Sequence, residues 1–174
     1  MNQKQVEQSA AELISMLRQL VELQEQLHGA IREKLAAMRR CDPDEMMAAA
    51  QREGELVAQV TAIDERRKKT VEGLCCSLDM PKAAAIEYVT LRALAARLDA
   101  KLRGPLLQMG QALRERMLKV AESNRVVEMV CREMLSHFKT LFSAFMQNED
   151  GPQTYSSRGA ADAGSGLKVL DAVG

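Results

Sequence analysis

Only a few side chains in this sequence of 174 residues are of the types that catalyse reactions or bind metals. His28 and His137 are far apart in the sequence, and no cysteine or carboxylate stands at a metal-ligand spacing that recurs around both. Asp42 and Asp44 flank Pro43, where carboxylates cap a helix and favour its dipole. The sequence has no glycine-rich phosphate loop, GxSxG elbow or HExxH motif. We therefore predict a protein that is not an enzyme and uses no cofactor or metal.

The four cysteines, Cys41, Cys75, Cys76 and Cys131, do not follow the CxxC spacing of metal sites. Cys75 and Cys76 are adjacent, and neighbouring side chains on a helix point about 100° apart. In a reducing compartment, free cysteines behave as small apolar residues. We predict that these thiols are buried.

The charged residues argue against a nucleic-acid partner. Lys and Arg number 24, as do Asp and Glu, whereas nucleic-acid binders usually carry a basic excess. The basic run 66–69 stands among acidic residues without aromatic neighbours, which is typical of a solvated, ion-paired helix face. The N-terminus lacks the plan of a signal peptide, and no apolar run approaches the roughly 18 residues that span a bilayer. We expect a cytoplasmic location without membrane insertion.

Composition and periodicity predict an all-α protein, an elongated antiparallel bundle or coiled-coil hairpin of long helices. Hydrophobic residues make up 47% of the chain, but there is no Trp, there are only three Phe, and Met reaches 11. No segment alternates with the period of a strand. Helices are predicted at about 3–40 and 43–78, and the short connection between them predicts an antiparallel hairpin. Their apolar stripes comprise Val6, Ala10, Leu13, Leu17, Leu20, Leu27, Ile31, Leu35 and Met38, then Met46, Ala49, Leu56, Val60, Ile63, Val71, Leu74 and Leu78, with Gln24, Glu53 and Arg67 as polar interruptions.

The second half of the chain is predicted to hold shorter helical pieces at about 81–103 and one long helix at about 105–147. Asp79 is expected to cap the first piece, and Gly104 with Pro105 to break or sharply kink the chain. Asn124 is expected at an inward position. The stripe of the long helix is Leu106, Met109, Leu113, Met117, Val120, Asn124, Val127, Cys131, Met134, Phe138, Leu141 and Phe145. Residues 1–148 are thus predicted to form a helical domain, and 149–174 a flexible tail.

The end of the long helix is unusually rich in large apolar side chains. Seven occur between positions 134 and 146, including all three phenylalanines of the chain. A core-facing helix needs only about three per heptad. Two interpretations stay open at this point: ordinary core of a three- or four-helix bundle, or a surface that receives an amphipathic helix from another protein. The seven are Met134, Leu135, Phe138, Leu141, Phe142, Phe145 and Met146.

The order of these features resembles the FlgN family of flagellar export chaperones across nearly the full chain. The segment IDERRKKTVEGLCCSLDM (63–80) is similar to the arginine-containing end of the family's second helix. Asn124, followed by Val126 and Val127, resembles the motif of its last helix, and Tyr155 with Gly159 its Tyr-x-x-x-Gly tail. The order of these short motifs, rather than any one of them, carries the resemblance.

The resemblance implies a cytoplasmic chaperone without enzymatic activity. It implies binding of hook–filament junction proteins, whose aggregation and premature assembly are held back, and delivery of these clients to the platform of the flagellar type III export gate. Tyr155 would then dock to the gate. The client-binding residues would be Val127, Met134, Leu135, Phe138, Leu141, Phe142 and Phe145.

Two alternatives stay open beside this interpretation. One is a structural coiled-coil scaffold or oligomer that has no client. The other is a chaperone for another class of type III secretion substrate. A homo-oligomer in the absence of client is compatible with the stripes of the long helices.

Overall fold

The structure, a computed structural model, describes residues 3–80 and 91–148. Most of these residues are helical. The four helices are α1 (Gln3–Arg40), α2 (Pro43–Ser77), α3 (Leu91–Arg97) and α4 (Ala100–Asn148). The described ranges contain no strand, and the all-α prediction is confirmed. None of these helices is long and apolar enough to cross a membrane. The chain divides into two compact units, Met1–Val130 and Cys131–Gly174, and each is described by itself.

The first unit is built on the predicted hairpin of α1 and α2. Only Cys41 and Asp42 connect the two helices, so α2 returns along α1. Ion pairs between the helices confirm the antiparallel arrangement: Arg52 pairs with Glu33 at 3.3 Å near the turn, and Arg66 with Glu12 at 3.8 Å farther away. Lys34 and Glu53 form a third pair, in which the charge of an inward-facing carboxylate is compensated.

The two turn residues, Cys41 and Asp42, cap the end of α1, and Asp42 also caps the start of α2. Cys41 has a φ of 53°, and its N–H donates to the carbonyl of Met38. The N–H of Asp42 donates to the carbonyl of Ala37, which completes the hydrogen-bond pattern of a Schellman C-cap. The Asp42 carboxylate then accepts from the N–H of Glu45 at 3.0 Å, so the predicted N-cap of α2 is confirmed.

The main core of the first unit joins all four helices near the open end of the hairpin. Its buried residues come from every helix and from the α3–α4 connection. Leu91 of α3 approaches the backbone of α4 at Gly110, where an added Cβ would lie 2.6 Å from the Leu91 Cδ2. The buried set is Ala10, Leu13, Leu17, Leu20, Val71, Leu74, Leu94, Ala95, Leu98 and Leu106.

In the first unit, α4 runs in the same direction as α1. Gln3 Nε2 donates to Asp99 Oδ2 at 3.4 Å, and farther along both helices Arg116 pairs with Glu25 at 2.5 Å. From that pair α1 continues only to Arg40. At equal rise per residue, α1 therefore supplies packing partners for α4 as far as about residue 130.

The predicted break at Gly104 and Pro105 is wrong, because α4 begins at Ala100 and continues through both residues. Pro105 lies in the second turn, where its missing N–H removes one backbone hydrogen bond at most. The chain instead breaks before α4. There Arg103 donates from its guanidinium to the carbonyls of Ala95 (3.1 Å), Ala96 (3.3 Å) and Leu98 (3.3 Å) around the end of α3.

The inward position predicted for Asn124 is also wrong, since its side chain is exposed. Met117, another member of the predicted stripe, is 52% exposed. Leu106, Val120 and Val127 of the predicted stripe are buried. At three other stripe positions, the partly covered residue is the one before the predicted residue: Arg116, Ser123 and Val130 in place of Met117, Asn124 and Cys131. Arg116 reaches this face because its guanidinium is paired with Glu25.

Asp79 ends α2. It has a φ of 46°, and the N–H of Met80 donates to the carbonyl of Cys75, as in a Schellman cap. The helical piece that Asp79 was expected to cap falls partly on residues 81–90, which lie outside the described residues. The polar interruptions were predicted correctly: Gln24 is buried, and Arg67 is partly covered while it pairs with Asp64 at 2.7 Å.

Candidate functional site

The described part of the second unit, Cys131–Asn148, presents large apolar side chains to solvent. Phe138, Phe142 and Phe145 are 62–66% exposed, and Leu141 is 67% exposed. We call the exposed set the phenylalanine face, which comprises Leu135, Phe138, Leu141, Phe142, Phe145 and Met146.

The phenylalanine face occupies one side of α4. At 100° per residue its six side chains span an arc of about 140°. The opposite side is polar, and its hydroxyls are satisfied within the helix. Thr140 Oγ1 donates to the carbonyl of Ser136 at 3.0 Å, and Ser143 Oγ donates to the carbonyl of Lys139 at 2.8 Å. This segment is therefore a strongly amphipathic helix with an uncovered apolar side.

A shallow, open concavity lies on this face. Phe138, Lys139, Leu141, Phe142 and Phe145 line it. Its walls come from one helix only, so it is a surface that fits a second apolar element rather than an enclosed pocket for a small molecule. Lys139 is the cation at its edge.

The extent of the face distinguishes it from ordinary exposed residues. Large apolar side chains carry about 150–250 Å² each. Six of them at roughly 60% exposure present on the order of 700 Å², above the roughly 300–600 Å² of the largest patch on a typical monomer. Patches of this size mark interaction surfaces, and an exposed helix face with i, i+3, i+4 and i+7 anchors is suited to pack against another amphipathic helix.

The structure brings most of the predicted client-binding residues together. Leu135, Phe138, Leu141, Phe142 and Phe145 share the phenylalanine face, and Met134 stands half-buried beside them in the sequence. Val127 differs, because it lies in the first unit and is only 8% exposed. It is therefore not accessible to a partner in this conformation. Tyr155, the predicted gate-docking residue, lies outside the described residues.

Two members of the surface were not among the predicted site residues. Met146 is 50% exposed and extends the face by one turn beyond Phe142. Lys139 lines the concavity and adds a positive charge to it. Helical spacing alone could have identified both, since Lys139 stands three residues before Phe142 and Met146 four residues after it.

The cysteines do not form a second site. The prediction that they are buried is wrong for Cys41, Cys76 and Cys131, which are exposed. Partial burial is the main cause that raises the pKa of Cys75, and the neighbouring Cys76 adds to it. The raised pKa disfavours the reactive thiolate. Within residues 3–80 and 91–148, no three His, Cys, Asp or Glu side chains are grouped so that they could hold a metal ion.

Comparison with known proteins assigns the chain to a family. The family model described as FlgN protein matches residues 1–163, which is most of the chain. No curated protein and no solved structure matches it. The match covers the hairpin, the phenylalanine face and Tyr155 in one continuous stretch. The chain therefore belongs to the FlgN family of flagellar export chaperones.

Proposed function

We propose that this chaperone binds amphipathic helical termini of hook–filament junction proteins on the phenylalanine face. The observation that carries the proposal is the exposure of Phe138, Leu141, Phe142 and Phe145, each about two-thirds accessible on one side of α4. Family membership supports the class of client, since FlgN proteins serve flagellar export.

The chemistry of the two partners is complementary. A helical terminus that later assembles through its apolar side would self-associate if it were left bare in the cytoplasm. An uncovered helix face spanning about 140° can mask such a side by packing helix on helix. The methionine at the end of the face adapts to differently shaped partners, because its thioether chain is unbranched and flexible.

A single substitution tests the binding surface. Phe142→Asp places a charge at the centre of the face and should abolish co-purification with a hook–filament junction protein. Helix content by circular dichroism should not change, because Phe142 is already 66% exposed. Leu118→Asp is the matched control, since Leu118 is 62% exposed on the same helix but belongs to the first unit. Undiminished binding by Phe142→Asp would refute the assignment.

Delivery of the client to the export gate is proposed to depend on Tyr155. An aromatic side chain a short distance after the client-binding helix is suited to act as a short docking motif. Removing residues 152–174 should leave folding and client binding in place but impair export, and Tyr155→Ala should reproduce the export defect without shortening the chain. Unfolding on truncation would mean that the segment is structural, and the proposal would fail.

A chaperone and a structural scaffold would use the phenylalanine face in different ways. A scaffold would use the face for permanent self-association, so it would form a stable oligomer and have no affinity for junction proteins. A chaperone exchanges any such contact for its client. Sedimentation with and without a junction protein separates the two, because only the chaperone converts to a complex that contains client.

A further inference from the structure

The last apolar segment of the sequence has no part in the function proposed so far. Residues 167–173 read LKVLDAV and contain Leu167, Val169, Leu170 and Val173. Between Met146 and Leu167 the sequence has no Leu, Ile, Val, Met or Phe. The chain therefore ends the phenylalanine face, passes through a small-residue and polar stretch, and then carries one more concentrated group of aliphatic side chains.

We propose that residues 167–173 of the same chain occupy the phenylalanine face when no client is bound. The inference rests on the proposed function, because the segment and the client then compete for one surface. It assigns a resident occupant to an apolar face that would otherwise stay in contact with water.

The length of the intervening chain permits this contact. Residues 149–166 number eighteen, of which ten are Gly, Ala or Ser. A chain of that length and composition has a root-mean-square span of about 23 Å. The centre of the face, Phe142, stands six residues before the end of α4 at Asn148, which corresponds to about 9 Å along the helix. The segment therefore reaches the whole face without stretching.

Charge complements the apolar contact. Lys139 lines the concavity on the face, and Asp171 stands between the aliphatic residues Leu170 and Val173 of the segment. With the aliphatic side chains on the phenylalanines, Asp171 is the residue of the segment with the charge suited to pair with Lys139. The segment also contains Lys168, so it has no net charge, and the complementarity rests on the single pairing of Asp171 with Lys139.

An occupant of this kind is weak enough to be displaced. Linkage through a short chain gives an effective concentration of about millimolar, so an intrinsic affinity in the same range covers the face about half the time. Client affinity falls by the fraction of time for which the face is free. Removing the segment should therefore tighten client binding by about twofold.

A tryptophan reporter tests the contact without any client. The chain has no Trp, so Phe142→Trp introduces a single fluorophore on the face. Acrylamide quenching of this reporter is measured in the full chain and in the same chain carrying Leu167→Ser and Leu170→Ser. The matched control is Met129→Trp, since Met129 is 56% exposed on α4 in the first unit. We expect the serine pair to increase quenching at position 142 and to leave position 129 unchanged.

The outcomes separate this inference from its alternatives. Quenching at position 142 that is equal with and without the serine pair overturns it. Protection that grows with protein concentration identifies a second copy as the occupant and also overturns it. Affinity for a junction-protein peptide is then compared between the full chain and a chain ending at Gly166. If position 142 is protected but no client binds, the proposed function is refuted and the contact with residues 167–173 stands. If client binds but position 142 is not protected, that contact is refuted and the proposed function stands.

Discussion

The two regions of α4 differ in burial although their sequences are similarly apolar. Between Ala100 and Val130, Leu106 is fully buried, and Val120 and Val127 are 8% exposed. Between residues 131 and 146, no side chain is buried, and the three phenylalanines of the chain are among the most exposed. The comparison teaches that apolar spacing creates a potential packing face, but that spacing alone does not decide whether the face is covered.

In the first unit, α1 and α4 lie side by side in a defined register. Its α1 is 38 residues long and α4 is 49 residues long, and the Glu25–Arg116 pair fixes their register. Up to about residue 130, α4 therefore has α1 beside it. Within the first unit, the length of α1, which ends at the hairpin turn of Cys41 and Asp42, thus limits how far along α4 it supplies packing partners.

Hydrogen exchange should show the largest contrast between the two regions. An uncovered helical segment of 18 residues is marginally stable in water, whereas packed helices open only through larger unfolding events. Amides between 106 and 127 should exchange about a hundredfold more slowly than those between 135 and 145. Mass spectrometry of peptides from α4 measures both at once. Equal protection of the two regions would break the comparison.

The same substitution at two leucines of α4 should have opposite consequences. Leu106→Ala removes a fully buried side chain and should lower the free energy of unfolding by about 3 kcal/mol. Leu141→Ala removes a side chain that is mostly exposed and should change that free energy by about 0.5 kcal/mol or less while it weakens client binding. Urea denaturation and co-purification measure the two effects. A stability loss at Leu141 as large as that at Leu106 would contradict the assignment of Leu141 to the surface.

The hairpin turn offers a gain in stability that should not affect the phenylalanine face. Cys41 has a φ of 53°, which costs a residue with a Cβ about 1–2 kcal/mol. Part of the gain from glycine is lost to its greater freedom in the unfolded chain, so Cys41→Gly should stabilise by about 0.5–1 kcal/mol. Cys41→Ala is the control and should show no such gain, because alanine keeps the Cβ. Thermal unfolding measures both, and client affinity should stay constant.

Among these substitutions, those of charged surface residues in the first unit should change the free energy of unfolding least. Partial burial alone would raise the pKa of Asp64, but hydrogen bonds and charge from Arg67 and Lys68 outweigh it and lower the pKa. The carboxylate therefore adds stability above the usual pKa of an aspartate, near 4, and this contribution is lost as the pH falls through the lowered pKa. Because the carboxylate is partly solvated, Asp64→Asn should cost about 0.5 kcal/mol or less at pH 7, and this cost should shrink as the pH falls through the lowered pKa. Glu65→Gln is the control, and a larger loss from it than from Asp64→Asn would contradict the ion-pair account.

The hairpin could be predicted from the sequence because its local and long-range signals agree. The stripes of α1 and α2 keep their spacing, Asp42 is a strong N-cap residue, and Pro43 fits the first turn of a helix. The clustering of apolar residues after position 131 also identified the residues of the phenylalanine face, but it left open whether they are buried or exposed. Whether a helix face is covered depends on contacts between residues far apart in sequence, which helical spacing does not encode.

The errors in the predicted apolar stripe of α4 share one origin. At three successive heptads the sequence places an apolar or amide residue immediately after the partly covered position, as with Met117 after Arg116 and Asn124 after Ser123. Apolar character favoured the later residue. The structure partly covers the earlier one: the charge of Arg116 is compensated by an ion pair with Glu25, and Ser123 is less exposed than Asn124.

The two-residue turn between α1 and α2 also has a consequence for the order of folding. Hairpin contacts join residues that are close in sequence, such as Glu33 with Arg52, so the cost in chain entropy of closing them is small. The hairpin can thus assemble on the ribosome before α4 has been synthesised. Leu13 and Leu17 of α1, which share a cluster with Leu106 of α4, cannot complete that cluster until α4 emerges. We therefore expect the nascent chain to pass through a two-helix intermediate whose apolar side is covered only when α4 arrives.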